Sequence, residues 1–308
     1  MEPLSTAIYE FALAPLGFLH GYVARAATTL ACAVLMVAAL RPFVDRRLAL
    51  IPLITSAPVA GLIAIPHVMS VISLAGISLA AVAASRGRWW LLGFGLFVAT
   101  MRPPNALPVV VAALIFAARA RGALPRVIGG AALPALVLAV PAFLVDPGWI
   151  GDYLDNDRAT MLAGLPLLVR QAGGTPGLIA LAIVPAVVTA AIALRGGGQR
   201  DVFAAGAALG VLGSKLSGLY SGIFVLPALG ATGRDPKLGL APWVASAATW
   251  VVVISTSTSV LRGAEFPAQL VGLVYLLVVA CFPLAIRGGA GPGKDASTGG
   301  PVYVPVDY

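Results

Sequence analysis

The chain has 308 residues, 59% of them hydrophobic and only 10% charged, with a formal charge of +8. A soluble domain carries about 25% charged residues, so the composition excludes water as the solvent for most of this chain. The positive balance does not point to nucleic acid, because the basic residues recur singly or in small groups between apolar runs, as membrane loops require.

A helix needs about 20 residues to cross the hydrocarbon core. Taken in chain order, the full-length candidates are Val23–Leu40, Leu48–Pro66, Val68–Ser85, Val127–Val145, Pro176–Leu194, Leu240–Thr258 and Leu270–Ile286. Two further apolar stretches are interrupted. Trp89–Ala118 contains Arg102-Pro103-Pro104-Asn105, and Val202–Gly233 contains Ser214-Lys215-Leu216-Ser217. Each is too long for one span and each half is short for a full one, so each reads as a helical hairpin with its tip at the interruption. Interrupted backbone of this kind lines cavities in membrane proteins. The first residues, MEPLSTAIYEF, lack the basic region of a cleavable leader. Cys32 and Cys281 each fall inside an apolar run and read as small buried hydrophobes.

The outer flanks of both interrupted stretches are basic. Placing them in the cytoplasm with Arg41, Arg46, Arg47, Arg195, Arg287 and Lys294 puts 14 of the 20 basic residues inside. The expectation is an all-α polytopic bundle of about eleven segments over residues 1–286, in the plasma membrane, with its N-terminus outside. Residues 287–308 are Gly/Ser/Pro-rich and read as a disordered cytoplasmic tail. The longest outside segment, Asp146–Thr175, holds four of the twelve acids: Asp146, Asp152, Asp155 and Asp157.

Polar residues at membrane depth are the candidates for chemistry. Arg102 sits where two prolines prevent a continuous helix, so its turn must lie in protein or water, and a guanidinium there suits a phosphate. Lys215 holds the matching place in the second hairpin. The alternative for both is a side chain snorkelling to the interface. His67, at the junction of two spans, suits a sugar hydroxyl or a purely interfacial role. Asp152, Asp155 and Asp157 read as a solvated loop rather than a metal site, and no cluster of His, Cys, Asp or Glu has zinc-like spacing. Phosphate-loop and nucleophile-elbow motifs do not occur, and no cofactor is implied.

The run GLIAIPHVMSVISLAGISLAAVAASRGRWWLLGFGLFVATMRPPNALPVVVAALIFAARARG resembles the central segment of glycosyltransferase family 87, whose members use polyprenyl-phosphate sugars and have the GT-C membrane fold. Pro66-His67-Val68-Met69 stands at the family's Gly-Gln-x-Asn-like element and Arg102-Pro103 at its Lys-Pro. LGSKLSGLYSGIFVLPAL is similar to its Ser-Pro-x-x-x-x-His-Tyr-like hairpin, with Tyr220 at the tyrosine, and FLVDPGWIGDYL to the loop after Lys-Pro. The similarity covers most of Tyr9–Ile286, with the Gln, Lys and His of those motifs substituted. The chain is expected to begin at YEFALAPLGFLHGY, after the family's leading helix and acidic loop.

The resemblance implies transfer of a mannose-like sugar from a polyprenyl-phosphate donor to a lipid-linked or envelope acceptor. It assigns Arg102 and Lys215 to the donor phosphate and His67, Asn105 and Tyr220 to sugar hydroxyls. Glu10 or Asp152 would be the catalytic base. Two alternatives stand beside it: a non-catalytic protein that binds polyprenyl lipids or a partner subunit, and a transporter or flippase. The expected partners are membrane lipid and the donor lipid, without nucleic acid.

Overall fold

The computed structural model describes residues 21–45, 47–64, 68–145, 165–213, 219–260, 277–278 and 280–284. Among them every regular element is helical and none is a strand. The α-helices are α1 (Gly21–Leu40), α2 (Ile51–Ile54), α3 (Ala57–Ala64), α4 (Val68–Ser85), α5 (Trp89–Ala99), α6 (Pro103–Arg119), α7 (Ala123–Val145), α8 (Leu165–Leu194), α9 (Gln199–Gly210), α10 (Leu226–Thr232) and α11 (Ala241–Val260). Four stretches are long and apolar enough to cross a membrane: Val23–Phe43, Val68–Ser85, Ala123–Pro141 and Gly173–Leu194. This is the architecture of a membrane protein.

Helix α4 is apolar on all sides and lies at the centre, packed on α1, α5, α6 and α9. Its Leu74, Ile77, Ala80 and Ala81 are fully buried. By contrast α7 exposes Leu133, Leu136, Val137, Val140 and Leu144, and α8 exposes Ile179, Ile183, Val184 and Val187, which are lipid-facing surfaces.

Lipid tails are as apolar as leucine, so packing rather than hydrophobicity must hold such helices together, and small residues allow it. A Cβ on Gly76 of α4 would lie 2.4 Å from the Ala99 nitrogen of α5. One on Gly93 of α5 would lie 2.1 Å from the Val127 oxygen of α7, and one on Gly210 of α9 would lie 2.3 Å from the Asn105 oxygen of α6. Two to three turns further along the same pair of helices, Phe116 and Phe203 stack with centroids 6.0 Å apart.

The stretch Leu48–Pro66, read above as one span, is divided. It runs as a 3-10 turn over Arg47–Leu50, then α2, then α3, with the break at Thr55 and Ser56. Thr55 and Ser56 turn their hydroxyls back on the carbonyls of Ile51 and Leu53, at 2.8 and 2.6 Å. Two backbone groups at the break are then satisfied from α11. Thr249 Oγ1 accepts from the Ala57 N–H at 3.0 Å, and the Trp250 indole donates to the Thr55 carbonyl at 2.8 Å. The first interrupted stretch is a broken helix, with α5 ending at Ala99 before α6 starts at Pro103; in the second, α9 runs into a 3-10 turn at Val211–Gly213, and the interruption Ser214-Lys215-Leu216-Ser217 lies outside the described residues. The chain returns as a second 3-10 run, Leu219–Val225, before α10.

The basic flanks gather at one end of the bundle. Arg119 at the end of α6 donates to the Ala193 and Leu194 carbonyls at the end of α8, both at 2.9 Å. Arg200 at the start of α9 donates to Ser85 at the end of α4, at 3.4 Å. Arg234, after α10, donates to the Phe43 carbonyl and to Asp201 Oδ1 at 3.0 Å, and pairs with Asp45 at 3.4 Å. A helix C-terminus favours a cation and a helix N-terminus an anion, which fits Arg119 and Asp201 to their positions.

Candidate functional site

At the opposite end, the break between α5 and α6 is held by two serines of α4. Ser73 donates to the Ala99 carbonyl, the last of α5, at 2.6 Å. One turn earlier, Ser70 Oγ accepts from Arg102 Nη1 at 2.8 Å. Ser70 and Ser73 are fully buried and Arg102 is half-buried. Spaced three residues apart, Ser70, Ser73 and Gly76 share one face of α4, and that face receives the end of α5. Neither serine was picked out from the sequence; the signal was the small-residue spacing S-x-x-S-x-x-G, which marks close helix approach rather than a site.

Arg102 is the N-cap residue of α6, and Pro103 and Pro104 occupy the first helical positions. Prolines fit there because the missing N–H groups have no intrahelical partner in any case. The Arg102 carbonyl accepts from the Asn105 and Ala106 N–H groups at 3.1 and 3.2 Å. The first turn has no free N–H to offer, so what the 17-residue helix brings to this point is the positive end of its dipole, with a guanidinium beside it. That combination favours an anion.

Asn105 completes the site. It is 1% exposed, and among the described residues neither the oxygen nor the nitrogen of its carboxamide has a hydrogen-bond partner. Its own backbone carbonyl abuts Gly210 of α9, where no side chain fits. The 3-10 turn Val211–Gly213 packs on α6, and the 3-10 run Leu219–Val225 packs on α4. Tyr220 belongs to that 3-10 run. Lys215, His67, Glu10 and Asp152 lie outside the described residues.

Among the described residues the acids are Asp45, Asp201 and Asp235, and all three stand at the other end of the bundle around Arg234 and Lys237. The described part of the site therefore supplies a cation, hydroxyls and a carboxamide, groups that bind and orient. Among the described residues no group of three His, Cys, Asp or Glu side chains is arranged to hold a metal ion. Comparison with protein-family models, with curated proteins and with solved structures finds no match.

Proposed function

We propose that this membrane protein binds a polyprenyl-phosphate-linked sugar at the Arg102 end of its bundle and transfers the sugar, as a GT-C-type glycosyltransferase, to a lipid-linked or envelope acceptor. The observation that carries the reading is Arg102, held by Ser70 at the broken, positive end of α6, on the end of the bundle away from the basic flanks. The excess of basic residues on those flanks supports a cytoplasmic position for them, which would turn Arg102 toward the outer face.

In the reaction, the acceptor hydroxyl oxygen attacks the anomeric carbon. A carbon–oxygen bond forms there as the bond to the phosphate oxygen breaks, and polyprenyl phosphate departs with the bonding electron pair. Arg102, with Lys215, would stabilise the charge growing on the leaving phosphate. The acceptor proton passes to a carboxylate, for which Glu10 and Asp152 are the candidates.

A second reading is a protein that holds the lipid phosphate, through the Arg102 that Ser70 fixes, without transferring its sugar. One assay separates the two. Membranes containing the full chain are given radiolabelled polyprenyl-phosphate mannose and endogenous acceptors, with Arg102→Ala as the control. Arg102-dependent incorporation of label supports the enzyme. Arg102-dependent binding without incorporation supports the binder, and neither result in the intact chain removes both.

A further inference from the structure

The basic end of the bundle holds cations of two kinds. Arg119 is bonded to the last carbonyls of α8, Arg200 to Ser85, Arg234 to Asp201 and Asp45, and Arg41 to the Val44 carbonyl at 3.0 Å. Arg86 and Arg88, between α4 and α5, and Arg126, in the first turn of α7, are exposed instead, and among the described residues their side chains have no hydrogen-bond or ion-pair partner. Helices α4 to α7 hold no acid to answer them, since the sequence has no Asp or Glu between Asp45 and Asp146. An indole is set among these three. Of the two tryptophans that open α5, Trp89 packs against the core and Trp90 is 56% exposed. Trp90 rests on two glycines of α7: a Cβ on Gly129 would stand 2.7 Å from its ring, and one on Gly130 would stand 2.2 Å from its carbonyl oxygen. Arg126 precedes those glycines by one turn on the same side of α7, and Arg88 precedes Trp90 by two residues. Keeping basic residues on one side of a membrane requires none of this.

We propose that this corner, where α5 and α7 begin, binds the headgroup of an anionic phospholipid, with Arg86, Arg88 and Arg126 on its phosphate and the Trp90 indole beside its glycerol. The proposal is independent of the Arg102 reading, which concerns the opposite end. Guanidinium forks match phosphate oxygens, and a tryptophan ring suits the boundary between headgroups and acyl chains. Past Arg126, α7 exposes Ile128, Leu133 and Leu136, so a lipid held by the arginines has an apolar surface for its chains. A soluble anion would leave both the indole and that surface unused. A zwitterionic headgroup brings its own ammonium, which three unanswered cations repel, so net negative charge decides the choice. An acidic protein would meet the charge, but it would have to cover an indole and a helix face that already suit lipid.

The test reconstitutes the full chain in vesicles of dioleoylphosphatidylcholine. Its tryptophan fluorescence is quenched with phosphatidylglycerol or phosphatidylcholine carrying a nitroxide on an acyl chain next to the headgroup. The difference between wild type and Trp90→Phe isolates the part due to Trp90. A cation beside an anionic headgroup is worth about fivefold, so half-quenching of Trp90 should need at least about tenfold less phosphatidylglycerol than phosphatidylcholine. The triple variant Arg86→Gln, Arg88→Gln, Arg126→Gln should bring the two lipids within about twofold of each other. The triple variant Arg47→Gln, Arg195→Gln, Lys237→Gln removes the same charge from other exposed positions at this end and should keep a preference of at least about fivefold. Should the first triple variant not fold, Arg88→Gln and Arg126→Gln are read singly, and each should lower the preference about threefold or more. Equal loss in the two triple variants overturns the site and leaves only a diffuse basic surface. Equal quenching by the two lipids in wild type overturns the lipid assignment, and retention of polyglutamate by wild type but not by the first triple variant would then give the corner to an acidic protein.

Discussion

Replacing Gly93 by alanine sets a methyl group against the backbone of a neighbouring helix. Its Cβ would stand 2.1 Å from the Val127 carbonyl oxygen and 2.9 Å from the Ala131 nitrogen, while contacts under 3.0 Å essentially never occur. The atom in the way belongs to a regular helix, so no rotamer change relieves it, and α5 and α7 must part by about 0.9 Å. Overpacking of this kind costs about 1–3 kcal/mol, and the backbone contact places Gly93→Ala near the upper end. In a chain of this size the melting temperature should fall by roughly 5–10 °C. The assay is thermal unfolding in detergent followed by size-exclusion fluorescence. Gly239→Ala is the control, since its nearest neighbour would be the Pro236 oxygen at an ordinary 3.7 Å. Gly129→Ala should fall between them, because its obstacle is the Trp90 side chain at 2.7 Å, which can turn aside. If Gly93→Ala and Gly239→Ala melt within about 2 °C of each other, close helix approach is not what holds α5 to α7.

Arg234→Met leaves Asp201 without its 3.0 Å partner in a site where both side chains are largely buried, and should cost about 1–3 kcal/mol. The double variant with Asp201→Asn should recover part of that loss, and a double-mutant cycle reads the coupling. Arg119→Ala removes two charge-assisted bonds to the last carbonyls of α8, and a loss of about 0.5–1 kcal/mol is expected; Arg119→Lys should recover the charge but not the paired geometry. Orientation is checked by cysteine labelling in a Cys32→Ala, Cys281→Ala background. An impermeant maleimide should label Thr100→Cys in intact cells and Arg121→Cys only after permeabilisation; the reverse pattern would invert the topology.

Much of this was legible in the chain itself. The apolar lengths of α1, α4 and α7 follow from composition, because the transfer of a segment into lipid is set by the residues within it. The break before α6 follows from Pro103 and Pro104, which act on their own backbone. The clustering of charge at helix ends is likewise local, and Arg102 stood out as a rare polar residue in apolar sequence.

Other features depend on residues far apart in the chain. Thr55 and Ser56 do not look like a helix break, and theirs is completed by Thr249 and Trp250, nearly 200 positions away. Arg102 was visible, but Ser70, 32 residues before it, is defined as its partner only by the packing of α4 on α5. The sequence offers Asn105 as a polar side chain; that its carboxamide is buried with no partner among the described residues emerges only from the packing around α6. Propensity and transfer energies are properties of a segment, whereas a hydrogen bond or a close approach needs two segments placed together. Local chemistry therefore determined where the helices begin, end and break, and the tertiary structure decided which polar atoms are answered.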